Sequence, residues 1–551
     1  MVDIDGDEVR DIVTGKRFWA HAGGDTGSQQ LPVLYWFKTI RSPAGLSFEP
    51  WLIDERSGVG TQVVVGDISG NGHPDIVVGS KMGTYLMLHE VRQVTAGQYE
   101  RARPKRRKEM AHTPGTHLFA SHVRATGPRT PLSELDSFTL PEGFEVQLFA
   151  SEPQINKPLN IAFDTRGRLW VSNTLEYPYP VGLEKKGRDS IRILEDTDSD
   201  GRSDKVTTFA DGLNIPMGLY PYGDGVICFS IPNIWYLRDT DGDGRADRRQ
   251  KLYGPLGYER DTHGLCNSFT RGLDGWLYAC HGFNNVTELA GTDGNRIRLR
   301  SGNVFRMRLD GSRVERFSNG QVNPFGLAFD RFGDFFSADC HTKPVSLLLK
   351  DGYHESFGAP HDGVGFVPGI MDHNHGSTAI CGIVLGSSTA FGELYADSVF
   401  GGNVTTCRIN RNTLVRNGSS LRAREEPDFL VSGDPWFRPV YLQAGPDGAL
   451  YVADFYNKII GHYEVPLDHP GRDRHRGRIW RISYKGSGSR RDVPVSATGR
   501  VSGGGLHRLP VEKLVEELGS RLLSRRGLAL DELERRPAAE VVRALRQRLR
   551  G

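Results

Sequence analysis

Three segments of this chain place aspartate at alternate positions: Asp196/Asp198/Asp200/Asp204, Asp239/Asp241/Asp243/Asp247 and Asp3/Asp5/Asp7/Asp11, the last with Glu8 where the others have glycine. A relaxed copy is Asp67/Ser69/Asn71/Asp75. Oxygens at the first, third, fifth and ninth positions, with a backbone carbonyl at the seventh, wrap a hard cation that takes 6–8 oxygen ligands, so the spacing predicts Ca²⁺. Without a cation, carboxylates 4 Å apart repel by roughly 1–4 kcal/mol per pair, and a bare Asp-Gly turn does not need four of them. Each segment lies between predicted strands, so the expected role is structural.

Histidine recurs in glycine-flanked loops. His263 follows Asp261-Thr262, His281 precedes Gly282, His341 follows Asp339-Cys340, His361 precedes Asp362-Gly363, and His373 and His375 flank Asn374 ahead of Gly376. His373 and His375 could share a strand face and hold a metal, although the sequence shows no third ligand. Asn323, Arg271, Lys343, Arg408 and Arg438 are candidates to contact an anionic cofactor or substrate; singly, each also reads as an ordinary surface group. No G-x-S-x-G, P-loop or G-x-G-x-x-G unit occurs, which weighs against serine hydrolase, NTPase and nicotinamide chemistry.

These residues need elements to position them, and the sequence supplies a repeat. An apolar triplet, an aspartate, a glycine-containing turn and an aromatic or β-branched strand recur at Asp164, Asp274, Asp330 and Asp447, and more weakly at Asp224. Each copy reads as two strands joined by an Asp/Gly turn. The irregular spacing suits propeller blades with inserted loops. Six blades are expected, beginning near Phe144, Asn214, Thr262, Val322, Pro368 and Phe437, with Gly477–Tyr484 as the closing strand. The loops carrying the histidines would then converge on one rim of the channel, where His341, His361 and His375 are also expected to contact a cofactor.

Composition agrees with an all-β chain. Glycine is 67 of 551 residues, about 12% against a usual ~7%. A formal charge of +2 gives no footprint for nucleic acid. No apolar run reaches the ~18 residues of a membrane span. The start lacks the basic and apolar regions of a signal peptide. Six cysteines, none in a C-x-x-C pair, read as buried thiols, and no haem attachment motif is present.

The expected organisation is a β unit at 1–92, a basic Pro-rich linker at 93–136, the propeller at 137–486, a Gly/Ser/Arg-rich linker at 487–508 and two short helices at 509–551, the possible opening of a helical repeat.

Residues 137–486 resemble the membrane-bound dehydrogenase propeller domain of planctomycete and verrucomicrobial proteins. The resemblance rests on Leu140–Val146, Asp261–Asn285, Asn323–Pro344, Pro360–Thr378 and Asp434–Ile482, the last including Gly471–Arg478. That domain is similar to soluble quinoprotein glucose dehydrogenases, which have six blades. Residues 1–92 resemble the end of an FG-GAP/VCBS array with calcium-binding loops. The resemblance implies a secreted, periplasmic or cell-envelope protein, and a start inside a calcium loop implies a truncated N-terminus. It implies oxidation of a sugar or alcohol with pyrroloquinoline quinone and Ca²⁺, His263 as the base, Asn323 beside the cofactor, and an external acceptor such as a c-type cytochrome. The family's arginine position is Val322. Two alternatives stand beside this reading: a non-catalytic calcium-stabilised propeller binding carbohydrate or protein at the cell envelope, and a calcium-dependent lactonase-like hydrolase.

Overall fold

The computed structural model describes residues 1–18, 27, 30–60, 62–81, 83–103, 125–356, 366–377, 379–460, 465, 469–486 and 505–550. The chain is all-β, a six-bladed propeller with an N-terminal β unit and a short C-terminal helical segment. The inner strands of the six blades are Lys157–Phe163, Met217–Tyr222, Asn267–Arg271, Asn323–Phe329, Ile380–Leu385 and Pro439–Ala444. Each packs on the next, and the sixth packs on the first, so the ring is closed.

The recurring phrase makes the hairpin between first and second strands. In the first blade the Asp164 carboxylate accepts the backbone N–H of Arg166 and Arg168, and its other oxygen accepts Trp170 Nε1 at 2.9 Å. Asp274 and Asp447 do the same for the hydroxyls of Tyr278 and Tyr451, at 2.7 and 3.2 Å. One carboxylate thus caps the turn and anchors the aromatic ring of the strand that follows. Gly167, Gly275, Gly333 and Gly448 take φ between 79° and 89° at these turns, where a Cβ is disfavoured.

The blade boundaries differ from expectation at the ring closure. Phe144–Ser151 does not open the first blade. It is the outermost strand of the sixth, pairing antiparallel with Arg478–Tyr484 in the register Phe144↔Tyr484 to Ser151↔Arg478. Arg478–Tyr484 is therefore the third strand of that blade rather than the closing one. An alternating strand looks the same in either blade, because its partner is more than 300 residues away in sequence. The fifth blade replaces the Asp-Gly phrase with short turns at Gly386–Ser388 and Glu393–Tyr395 and takes a fifth strand, Phe138–Thr139. Residues 129–136, expected in the linker, carry the short helix Pro131–Leu135, which buries Glu134 in the propeller.

Arg478 and Glu134 are both fully buried and form an ion pair. The guanidinium also donates to the carbonyl of Arg129, pairs with Glu152 at 3.3 Å and lies 3.6 Å from the centre of the Tyr456 ring. Trp480, two residues on, is also fully buried.

Three helices, not two, end the chain: Val511–Glu517, Leu523–Leu533 and Ala538–Arg550. They lie on the hairpin-turn side of the ring. Ser524 Oγ donates to the carbonyls of Ser388 and Gly445, Arg525 reaches the carbonyl of Pro446, Tyr220 donates to Asp531 at 2.6 Å, and His507 N–H donates to Thr165. Turns of the first, fifth and sixth blades and an inner-strand side chain of the second therefore hold the segment.

The N-terminal unit has two three-stranded sheets, Ile12–Gly15/Leu34–Ser42/Gly45–Asp54 and Val63–Gly66/Asp75–Ser80/Gly83–Met87, around Leu34, Val59, Ile76 and Val78. A helix, Ala96–Ala102, follows with a Thr95/Gln98 capping box inside the expected linker. All six cysteines are free, five of them buried. Among the described residues no helix is long and apolar enough to cross a membrane.

Removing one member of a buried ion pair strands the other charge and costs about 3–5 kcal/mol, whereas replacing both with apolar groups is often neutral. Arg478→Met should lower the urea unfolding free energy by about that amount, and Arg478→Met with Glu134→Leu should recover most of it. Equal stability of parent and single variant would show that the pair does not fasten the ring.

Candidate functional site

The rim opposite the C-terminal helices is built from the segments that lead into the inner strands and the ends of the second strands. His263 sits in a single turn, Thr262–Gly264, whose N-cap Asp261 accepts the His263 N–H at 2.7 Å. Asn285 Nδ2 ties the same turn by donating to the carbonyls of Asp261 and Gly264. The half-buried His263 ring places Nδ1 2.9 Å from the Tyr177 hydroxyl. Tyr177 comes from the first blade, where the buried Asp189 carboxylate accepts the N–H of Leu175 and Glu176 and the hydroxyl of Thr174. Thr262 Oγ1 adds a second link to the same loop through the carbonyl of Pro178.

From His263 the polar contacts continue into the fourth blade. Asn323 Oδ1 accepts the Phe283 N–H at 3.1 Å, and the N–H groups of Val322 and Asn323 both donate to Asp339, at 3.1 and 2.7 Å. Thr342 Oγ1 closes on the same carboxylate at 2.6 Å. Burial pushes the Asp339 carboxyl up to about 6 against those three hydrogen bonds. Asp454 repeats the device in the sixth blade, accepting the N–H of Arg438 and Tyr456 and Trp480 Nε1. A carboxylate at the end of a second strand thus fixes where the neighbouring inner strand begins.

The other expected site residues separate. Arg271 lies at the far end of its inner strand from His263, where it donates to Gly275 and pairs with Glu534 of the C-terminal segment at 2.7 Å. That places it on the helical side, away from the rim. Arg438 is buried, and its guanidinium donates to the carbonyls of Val404, Phe437 and Lys458 and to Cys407 Sγ. His341 is exposed at φ 74° beside Thr342, and Lys343 donates to the carbonyl of Asp372 at 2.6 Å. His281 is buried with Nδ1 on the carbonyl of Ser301 and Nε2 on Thr287, and burial lowers its imidazole to about 4. His375 lies with His373 over the fifth blade, and its burial lowers the imidazole below the usual range. His361 lies outside the described residues.

The four aspartate loops share one backbone. Asp196, Asp239, Asp3 and Asp67 each accept N–H groups from the residues four and five positions on. The fourth and sixth positions take positive φ in every loop, including the non-glycine Ser199 at 65° and Glu8 at 64°. Carboxylate oxygens of Asp196, Asp198 and Asp204 lie within 4.8 Å of one another, as do those of Asp239, Asp241 and Asp243 and those of Asp3, Asp5 and Asp11. In these two propeller loops Asp204 and Asp247 accept the hydroxyl and N–H of Thr197 and Thr240. Asp200 and Asp243 each accept the N–H two residues on. The donor set fits a hard cation. Two loops carry qualifications: Lys38 occupies the loop at residue 3 with an ammonium paired to Asp5 and Asp7, and in the loop at residue 67 Asp75 accepts three backbone N–H groups while Ser69 and Asn71 replace carboxylates.

A family profile described as a domain of unknown function, DUF7133, matches residues 130–486. The chain belongs to the DUF7133 family. An FG-GAP repeat profile matches residues 59–97, which contain the Asp67 loop. No curated protein matches the chain. Solved structures similar to it include the PQQ-bound aldose sugar dehydrogenase of Streptomyces coelicolor, 18% identical over 63% of this chain and 100% of that one, TM-score 0.41. The pyranose dehydrogenase PQQ domain of Coprinopsis cinerea is 15% identical over 63% and 97%, TM-score 0.40. A Trichoderma reesei carbohydrate-active enzyme of family AA12 is 13% identical over 63% and 98%, TM-score 0.41. The DUF7133 match begins within a few residues of Glu134 and ends beyond Tyr484, so it spans both partners of the ring-closing ion pair.

The sequence reading missed Tyr177, Asp189 and Asp454. The one available signal was position: Ala338-Asp339 and Ala453-Asp454 each end an apolar strand with an acid, which is costly unless backbone amides await it.

A carboxyl raised from ~3.9 in the unfolded chain to about 6 in the fold favours the folded state below pH ~4, and that contribution is lost as pH rises through 6. Asp339→Asn removes the titration. Comparing denaturation of parent and variant at pH 4 and pH 7, the stability difference should move by roughly 2–3 kcal/mol in the variant's favour at the higher pH. A pH-independent difference would contradict this placement of Asp339.

Proposed function

We propose that this DUF7133 propeller is an oxidoreductase acting on the hydroxyl of a sugar or alcohol, with His263 as proton acceptor. The observation that carries the reading is the His263–Tyr177 pair, held between two blades at the rim opposite the helices. With Nδ1–H donating to the tyrosine oxygen, Nε2 carries the lone pair that a general base requires. An imidazole accepts a hydroxyl proton effectively near neutral pH because its ordinary pKa lies close by.

The residues do not fit pyrroloquinoline quinone at the position the resemblance implies. That quinone is a polyanion. Val322 stands where the family has arginine and is fully buried. Asn323 Oδ1 accepts a backbone N–H, and the Arg438 guanidinium donates to three backbone carbonyls and to Cys407 Sγ. His263 therefore takes the hydroxyl proton, while the hydride from the same carbon goes to a two-electron acceptor supplied from solution, such as an added quinone or dye. The engagement of Asn323 and Arg438 favours a second reading, a non-catalytic propeller that binds carbohydrate at this rim, because scaffold bonds already engage those side chains. The lactonase-like alternative has no specific observation behind it.

A dye-reduction screen over sugars and alcohols, run with Ca²⁺ and with or without added quinone, separates the two. On the oxidoreductase reading the parent turns over at least one substrate and His263→Ala reduces the rate by about 10²–10⁴-fold. Tyr177→Phe should give a smaller loss, with the acidic limb of the pH–rate profile displaced. No turnover under any condition, together with glycan binding that His263→Ala weakens, would replace the enzyme by the binding module.

We also assign Ca²⁺ to the loops at Asp196 and Asp239, in a structural role. Binding to the folded state alone adds about 2.7 kcal/mol at a hundred times Kd. Calcium should raise the melting temperature of the parent, Asp198→Ala and Asp241→Ala should each reduce that rise, and in chelator neither variant should melt below the parent. Identical melting of the parent with and without calcium would remove the assignment.

A further inference from the structure

The fifth blade brings together a set of donors that the function above does not use. Its third and fourth strands, Arg408–Asn417 and Ser420–Ser432, pair so that Asn412 stands directly opposite Glu425, which puts their side chains side by side on one face. The segment leading to the inner strand lies across that face. It is held by Ala423 N–H donating to the carbonyl of Ile370 at 2.7 Å and by an Arg422–Asp372 pair at 2.8 Å. This lays two imidazoles over the strand pair. Nε2 of His373 and Nε2 of His375 lie 2.7 and 2.9 Å from the same Asn412 Oδ1, and His375 Nδ1 is 3.4 Å from Glu425. The two rings are 4.8 Å apart at 83° to one another.

We propose that His373, His375 and Glu425, with the Asn412 amide oxygen, bind a divalent transition-metal ion of the zinc class. One ligand atom from each of the first three already lies within 4.8 Å of the others. A tetrahedral ion with bonds of 2.0–2.2 Å needs donors about 3.4 Å apart, so the three-residue cluster has to close by at most about 1.4 Å while Asn412 Oδ1, now 2.7 and 2.9 Å from the two Nε2 atoms, draws back by about half an ångström, both within the reach of side-chain adjustment. Two imidazole nitrogens favour zinc, cobalt or copper over calcium and magnesium, which take oxygen. Two histidines and one glutamate form a recurrent zinc donor set that leaves a further position for another ligand.

The neighbouring acids are differently engaged. Asp428 is held by Arg408 and Asn410, and Glu426 by Arg424 and Thr413. Among the described residues the ion pair recorded for Glu425 is with His375. A cleft of about 560 Å³, lined by His375, Arg408, Glu425 and Asp428 among others, adjoins the cluster. Ligation requires each imidazole to give up its Nε2 proton, by tautomerisation to Nδ1–H or by release to solvent, so affinity should fall in acid. This site is independent of the His263 assignment, since neither its residues nor its test involve turnover.

The test uses the full chain, free of affinity tag and stripped with chelator, titrated with Co²⁺ as an optical probe. The expected result is one equivalent of cobalt giving a visible ligand-field band, displaced by stoichiometric Zn²⁺ and unaffected by excess Ca²⁺. His373→Ala and His375→Ala should each weaken cobalt binding by more than about 100-fold, because loss of an outer-shell partner alone costs 10–100-fold. Glu425→Gln, at a largely exposed side chain, tests the same claim without disturbing the fold, and its melting in chelator should equal that of the parent. Absence of the band in the parent, or parental cobalt affinity in both His375→Ala and Glu425→Gln, overturns the proposal.

Discussion

The ring depends on one junction, where a strand from the start of the propeller completes a blade built from its end. Phe144–Ser151 and Arg478–Tyr484 make that junction, and the buried Arg478–Glu134 pair fixes its beginning. An open ring would leave an unpaired edge on the sixth blade, a template for association with another chain. Hydrogen bonds along the strand pair close that edge but do not choose its register. The alternating apolar face does so, and the Arg478–Glu152 contact next to Ser151 agrees with it. The pair with Glu134 instead holds the helix Pro131–Leu135 against this end of the strand, since a guanidinium buried without its carboxylate is costly. The carbonyl of Arg129 and the ring of Tyr456 meet the other faces of the same guanidinium, so this junction also locates the segment that precedes the propeller.

The same logic, acid against backbone amide, recurs on the rim. Asp189, Asp339 and Asp454 each gather N–H groups from segments that would otherwise leave them unsatisfied in an apolar setting. The arrangement gives the loops fixed positions without further regular structure. It also sets the positions of Asn323 and Arg438. Their backbone N–H groups are held by Asp339 and Asp454, and their side chains face neighbouring loops. The ring of His263, in turn, meets a side chain of another blade, the Tyr177 hydroxyl.

Much of this architecture was legible in the sequence because it is local. The Asp-Gly phrase encodes a hairpin within a dozen residues, and the aspartate, glycine and aromatic each have a separate physical task in it. Five of the six blades carry that phrase, the second through its weaker copy at Asp224. What escaped was long-range. The strand at Phe144 carries the right alternation and no mark of its partner. The fifth blade had no phrase to count. Arg271 looked like a rim cation because a strand's two ends are indistinguishable until the turn side of the ring is known, and its partner Glu534 is 263 residues away. The His373/His375 pair lacked a third donor for the same reason: Glu425 becomes its neighbour only through the pairing of two strands.

The aspartate loops show the converse case, in which a short motif determines its own shape. Left-handed backbone at the fourth and sixth positions is easy for Gly242 and Gly244 but costs a side-chain-bearing residue on the order of 1–2 kcal/mol. Ser199 and Glu8 adopt it nonetheless. The force that holds them there is the first aspartate of each loop, whose two oxygens accept consecutive backbone N–H groups. Those bonds turn the remaining carboxylates inward and leave them crowded, a repulsive arrangement in the absence of positive charge. In the loop at Asp3 the ammonium of Lys38 supplies that charge. The loops at Asp196 and Asp239 have the same backbone, and among the described residues no lysine or arginine ion pair is recorded for Asp196, Asp198, Asp239 or Asp241. Within one chain the motif therefore appears both with an internal cation and without one, and the two propeller loops are where an external dication has the most repulsion to relieve.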